Sequence, residues 1–162
     1  MINIIAAIGK NSELGFENRL LCHLPNDLRH FKDLTTGHAV AMGSRTWDSL
    51  PKKPLPGRRN IVLTRSRSRV DGAEVARSAE DILEIAAKEE KALFIIGGAE
   101  VYKIFMPHAD KLYLTKIVSE FVADVWFPEI DPGEWQVSDI EFVKKDEKNQ
   151  YDLYFKTLTR KR

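Results

Sequence analysis

Apolar residues recur along the chain in short, nearly unbroken runs, NIIAAI at 3–8, AVAM at 39–42, NIVLT at 60–64 and ALFII at 92–96, and a fifth, more mixed run, DKLYLTKI at 110–117, follows later. Runs of that length without polar alternation suit strands covered on both faces, as in a parallel sheet. The stretches between them carry a different period. PNDLRHFKDL at 25–34 opens on proline, whose missing N–H costs nothing at a first helical position, and Leu24, Asp27, Leu28 and Phe31 follow the i, i+3, i+4, i+7 spacing of one stripe. SRTWDSL at 44–50, SAEDILEIAAKEE at 78–90 and AEVYKIFM at 99–106 are further helical patterns, with Ser78 and Asp81 forming an S-x-x-D capping signature. Strand and helix alternate, which predicts an α/β fold.

The last third changes character. EWQVSDIEFV at 134–143 and YDLYFKTLT at 151–159 alternate polar and apolar residues around the polar KKDEKNQ, which predicts an antiparallel hairpin closing one edge of the sheet. The proline-rich PKKPLPGRR at 51–59 reads as a surface loop with a turn at Pro56-Gly57. Repeats, low-complexity tracts and an interdomain linker are absent, so residues 1–162 are expected to form a single domain.

Composition narrows the function classes. Twenty-five Lys and Arg against 24 Asp and Glu leave a formal charge of +1, which removes the basic field that draws a protein to nucleic acid. The single cysteine, Cys22, forms no internal disulfide, and MINIIAAIGKNSEL has neither a basic leader nor an apolar stretch of membrane length. A cytoplasmic monomer without membrane or nucleic-acid partners is the expectation.

In open α/β sheets ligands bind beyond the carboxyl ends of the strands, so the loops after the buried runs carry the chemistry. Gly43-Ser44-Arg45-Thr46 and Gly97-Gly98-Ala99 each open a helix after a strand, a geometry that offers free N–H groups to phosphate or simply makes the turn. Two such junctions suit an extended dinucleotide, although neither G-x-G-x-x-G nor a P-loop occurs. The run Thr64-Arg65-Ser66-Arg67-Ser68-Arg69 suits a phosphate monoester or a solvated basic loop, and either Arg58 or Arg59 is placed to grip a carboxylate. His23, His30, His38 and Cys22 lack metal-ligand spacing, so no metal is expected. Asp27 sits on the apolar stripe, either as a first-turn carboxylate favoured by the helix dipole or as an ionisable group in a ligand pocket.

FENRLLCHLPNDLRHFK, AVAMGSRTWDSL, PLPGRRNIVLTR, FIIGGAEVY, KLYLTKI and DVWFP occur in this order and spacing in a known family. The chain resembles bacterial dihydrofolate reductase of the chromosomal type. The resemblance implies a mostly parallel eight-stranded sheet flanked by about four helices, and reduction of 7,8-dihydrofolate to tetrahydrofolate by NADPH. It also implies that Asp27, in the pterin pocket, assists protonation at N5 while hydride passes to C6. Thr115 matches the aspartate's hydrogen-bond partner, and Leu20 and Cys22 match positions beside the reacting rings. Ile5, Ala7, Leu28, Phe31, Leu50, Leu55, Ile96 and Tyr102 match the substrate walls, with Arg58 and Lys32 toward the glutamate tail.

The implied cofactor positions run through four segments. Ala7, Leu14, Gly15 and Asn18 come first, then Gly43, Ser44, Arg45 and Thr46. Leu63, Thr64, Arg65, Ser66 and Arg77 would lie near the adenosine, and Ile96, Gly97, Gly98, Ala99, Glu100, Val101 and Tyr102 near the nicotinamide and pyrophosphate. Residues 9–24 match a loop that closes over the nicotinamide, with Asp124 as its distal contact. The chain departs from the family at Leu21-Cys22, where Pro-Trp is usual, and at Ser44 and Glu100, where basic residues are common. Competing functions are a related reductase of another pterin or a ribityl-aminopyrimidine, and a silent nucleotide-binding domain.

Overall fold

The computed structural model describes residues 1–17 and 19–161. The chain runs β1 (Ile2–Ile8), β2 (Glu13–Phe16), β3 (Arg19–Leu20), α1 (Pro25–Thr35), β4 (Ala39–Gly43), α2 (Ser44–Ser49), β5 (Arg59–Leu63), β6 (Glu74–Ala76) and α3 (Ala79–Lys88). It continues with β7 (Leu93–Ile95), α4 (Ala99–Phe105), a 3-10 turn at Met106–His108, β8 (Lys111–Ile117), β9 (Val125–Trp126), β10 (Trp135–Val143) and β11 (Leu153–Arg160). Eight strands form one sheet in the order β10-β11-β8-β1-β7-β4-β5-β6. The six from β8 to β6 pair in parallel, and β11 runs against both β8 and β10. The α/β architecture, the parallel sheet and the C-terminal antiparallel pair are those expected.

The buried runs became central strands because both of their faces are covered. Ile4, Val40, Met42, Ile61, Leu93, Ile95 and Leu112 have no exposed surface. Along β1, Ile4, Ala6 and Ile8 pack with Ile82 of α3 and Phe105 of α4, whereas Ile5 packs with Val40, Met42, Trp47 and Phe31 on the other face. This period-two division places α1 and α2 on one side and α3 and α4 on the other.

Two helix starts are secured differently. Ser78 accepts the Asp81 N–H at 3.2 Å and Asp81 accepts the Arg77 N–H at 3.0 Å, a cap of about 1 kcal/mol. Leu24 cannot cap α1, and Asn149, in the loop before β11, takes the Asn26 N–H at 2.9 Å instead. Four short strands were not anticipated: β6 at one sheet edge, and β2, β3 and β9, which form a separate three-stranded sheet.

Candidate active site

Pro25 starts α1 so that Asp27, in its first turn, faces the second half of β8. Asp27 is the acidic residue of the first turn of α1, and the N-cap, Leu24, makes no side-chain hydrogen bond. Oδ1 of Asp27 accepts a 2.5 Å hydrogen bond from Oγ1 of Thr115, a residue only 2% exposed. The surrounding pocket is apolar, lined by Ala7, Leu14, Leu20, Leu21, Cys22, Leu24, Leu28 and Ile117 together with His23. Burial pushes the Asp27 carboxyl above its ordinary value, opposed by the Thr115 hydroxyl and by His30. The same burial, with the Asp27 charge added, pushes the Cys22 thiol up to about 11. Asp27 thus lies both in the first turn of α1 and in the lining of this pocket.

Ile5, Phe31, Leu50, Leu55 and Ile96 belong to the apolar cluster around Val40, Met42 and Trp47 and are not in the lining of the Asp27 pocket. Arg58 borders that cluster, donating Nη1–H to Thr35 Oγ1 at 3.1 Å and Nε–H to the Pro56 carbonyl at 2.9 Å. Its guanidinium carbon stands 5.9 Å from the Phe31 ring centre. Arg59 is instead paired with Glu74 and Glu89 at 2.5 and 2.6 Å, whereas Arg58 has no carboxylate partner among the described residues. Leu28, in the pocket lining, and Lys32, one turn further along α1, are both exposed.

The glycine junctions meet. The Gly43 N–H donates to the Gly97 carbonyl at 2.9 Å, and a Cβ on Gly97, at φ +132°, would stand 3.3 Å from Thr46 Oγ1. Gly43 and Gly98 are the helix N-caps, and neither start, of α2 or of α4, has a side-chain cap hydrogen bond among the described residues. Val101 and Tyr102 are buried behind them, and the Tyr102 hydroxyl donates to the Ile5 carbonyl at 2.8 Å. Ser44 and Ala99 are half-buried and Glu100 is exposed.

The basic run after β5 divides. Arg67 pairs with Asp48 at 2.6 Å and Arg69 with Asp71 at 2.8 Å, while Arg77 donates to the backbone carbonyls of Thr64 and Arg67. Thr64 and Ser66 hydroxyls lie 3.3 Å apart beside half-buried Leu63. Arg45 and Arg65 are exposed, with no ion pair among the described residues.

The arm before α1 is tied to the segment before β9. Asp124 accepts the Glu17 N–H at 2.9 Å and donates its own N–H to the Gly15 carbonyl at 3.0 Å. Glu13 adds a bond that the sequence did not suggest: 2% exposed, it accepts the Phe121 N–H at 2.6 Å and the Asn11 N–H at 2.5 Å. Asn18 lies outside the described residues. Thr35, His30 and Asn149 are further participants the sequence reading missed. Thr35 and His30 left signals there, four residues after Phe31 and three after Asp27 respectively, and Asn149 left none. No cluster of three His, Cys, Asp or Glu side chains able to hold a metal occurs among the described residues.

The sequence model of one family, Dihydrofolate reductase, matches residues 1–160. The dihydrofolate reductase of Bacillus subtilis (strain 168) is 45% identical over 156 residues, covering 96% of this chain and 92% of that protein. The dihydrofolate reductase type 3 of Salmonella typhimurium is 42% identical over 163 residues, covering 100% and 99%. The structure of dihydrofolate reductase from Enterococcus faecalis complexed with NADP(H) and RAB-propyl superposes with a TM-score of 0.95 at 37% identity, over 100% of this chain and 97% of that one.

Proposed function

Because the chain belongs to the dihydrofolate reductase family and so reduces 7,8-dihydrofolate to tetrahydrofolate with NADPH, we propose that Asp27 is the residue that assists protonation of the pterin at N5. The observation that carries this is the Asp27 carboxylate, held by the Thr115 hydroxyl and set in a pocket lined mostly by apolar side chains. An aspartate raised by burial keeps its proton nearer to neutrality than an exposed one, which suits acid catalysis. Once ionised it accepts the amide and amino N–H groups of the pterin edge and stabilises the ring as N5 gains positive charge. Thr115 keeps the carboxylate aimed at that edge.

Ile5, Ala7, Leu28, Phe31, Leu50, Leu55 and Ile96 exclude water from the pterin and benzoyl rings, with Leu20 and Cys22 closing the pocket above Asp27. Arg58 has two of its five donors occupied by Thr35 and Pro56, and the remaining ones suffice for a two-pronged bond to the glutamate carboxylate of the substrate. Lys32 stands by for the same tail.

The starts of α2 and α4, neither with a side-chain cap, and the Thr46 hydroxyl between them fit the pyrophosphate of a dinucleotide. Gly43, Ser44, Arg45, Thr46, Gly97, Gly98, Ala99, Val101 and Tyr102 would hold that bridge, and Leu63, Thr64, Arg65, Ser66 and Arg77 the adenosine end. When bound, NADPH supplies the hydride that C6 receives. Glu100, exposed, turns its charge to solvent.

As proposed, the enzyme is a single-domain cytoplasmic monomer acting on small molecules; the net charge of +1 gives no global basic field for nucleic acid, and among the described residues no helix is long and apolar enough to cross a membrane. Consumption of NADPH by the purified protein with dihydrofolate, against NADH, tests the reading. NADPH-preferring turnover that persists unchanged in Asp27→Asn would overturn the role given to Asp27.

A further inference from the structure

His30 lies one helical turn beyond Asp27 on α1, and a separation of three residues puts both side chains on one face. Its imidazole lies flat on the Phe155 ring of β11, with centroids 3.7 Å apart and planes 15° from parallel. Phe155 is the residue opposite Thr115 where β11 runs against β8, and Glu141 is opposite Phe155 where β10 runs against β11. Opposite residues in a ladder point to the same side of the sheet, so Ala7, Thr115, Phe155 and Glu141 form one row across four strands beneath α1. Two adjacent members of that row hold two adjacent turns of the helix. Thr115 takes Asp27 by a hydrogen bond, and Phe155 takes His30 by stacking.

Three carboxylates act on the imidazole: Asp27 and Asp33 from its own helix and Glu141 from β10. Lys116 of β8 and Lys156 of β11 adjoin Thr115 and Phe155 in sequence and therefore alternate to the opposite face of the sheet. Burial pushes His30 below its ordinary value against the pull of the three acids, and burial pushes Asp27 above its own. With the two groups one helical turn apart, a proton on His30 makes a proton harder for Asp27 to hold.

From this geometry we infer that His30 is a positioning residue for the reaction: its stack on Phe155 keeps Asp27 in reach of Thr115, and the charge it gains in acid keeps the Asp27 carboxylate ionised. The inference rests on Asp27 as the residue that assists N5 protonation.

The test is the pH dependence of the single-turnover hydride-transfer rate, followed by loss of NADPH with saturating dihydrofolate, in the parent, His30→Phe, His30→Ala and Asp27→Asn. Phenylalanine keeps a ring on Phe155 and removes the charge. Its expected signature is a midpoint moved upward by about half a pH unit, with the rate in acid preserved. Alanine removes ring and charge together, and the rate is expected to fall about tenfold at every pH, restored by phenylalanine. A His30→Phe profile that superimposes on the parent, or a His30→Ala rate equal to it, overturns the proposal. Should His30→Ala fail to fold, the carbon-13 titration of the Asp27 carboxyl in the full chain decides: an upward shift in His30→Phe supports the role, and identical curves overturn it. Asp27→Asn separates the two readings. Intact neutral turnover in that variant removes the role of Asp27 itself, whereas lost turnover beside an unmoved His30→Phe profile removes only that of His30.

Discussion

The Thr115 hydroxyl and the Asp27 carboxylate are 88 residues apart in the chain and 2.5 Å apart in the fold. The bond joins the first turn of α1 to a strand paired on one side with β1 and on the other with β11. It fixes the carboxylate's direction, and it opposes the effect of burial on its proton.

Replacing Thr115 with valine keeps the shape and removes the donor. The carboxyl should then titrate still higher, and the midpoint of the pH–rate profile should move upward. Leaving a partly buried acceptor unmatched should cost about 1–3 kcal/mol of stability. A pH–rate series with a urea unfolding curve measures both, and an unmoved midpoint would separate Thr115 from the chemistry.

Glu13 gives the arm before α1 an acid-sensitive anchor. Burial pushes its carboxyl up, but the backbone N–H groups of Glu13, Phe121 and Asn11, with Lys116 nearby, outweigh burial and hold it below its ordinary 4.5. A carboxyl depressed in the folded state contributes stability above its unfolded value, and that contribution is lost as pH falls through the folded one. Glu13→Gln should therefore be destabilised by about 2 kcal/mol at neutral pH, with the gap to the parent closing in acid below 4.5. Unfolding curves at neutral and acid pH check this. Faster hydrogen exchange at the Phe121 amide should accompany it.

Cys22 lines the pocket and packs partly against Leu24, Ile117 and Leu153. Its thiol, pushed up to about 11, should be alkylated slowly by iodoacetamide near neutrality compared with an exposed cysteine. Cys22→Trp should change the affinity for dihydrofolate several-fold while altering stability by less than about 1 kcal/mol, because the indole extends into the pocket. Loss of folding in this variant would assign Cys22 to the core instead.

Arg58→Lys should raise KM for dihydrofolate about tenfold or more with kcat little changed, since an ammonium replaces the planar fork held by Thr35 and Pro56. A matched loss of kcat would place Arg58 in the chemistry rather than the grip. Removing the substrate's glutamate should abolish the difference between variant and parent.

Much of this could be read directly from residue patterns. Ile4, Val40, Ile61 and Leu93 sit in strands covered on both faces, so their runs carry no alternation and declare a parallel sheet. Pro25 and Ser78 mark helix starts by local chemistry. Other features escaped because their causes are distant in the chain. Strand β6 is three residues long at a sheet edge, and β2 and β9 pair across more than a hundred residues. Asn149 caps a helix 123 residues away, and Glu13 becomes a buried carboxylate only when Phe121 arrives. The resemblance had singled out Arg58, but spacing alone does not show that Thr35 holds Arg58 while Glu74 and Glu89 hold Arg59. Within the basic run, Arg67 and Arg69 found acidic partners in Asp48 and Asp71, which leaves Arg65 as its free cation among the described residues.

The most direct measurement is the rate of NADPH oxidation by dihydrofolate in the parent and in Asp27→Asn from acid to neutral pH. Asparagine keeps the shape and cannot carry the proton, so turnover near neutrality should fall by about a hundredfold or more and recover in part in acid, where the substrate arrives protonated. Both proteins should bind NADPH alike. Equal turnover of variant and parent at neutral pH would contradict the assignment of Asp27.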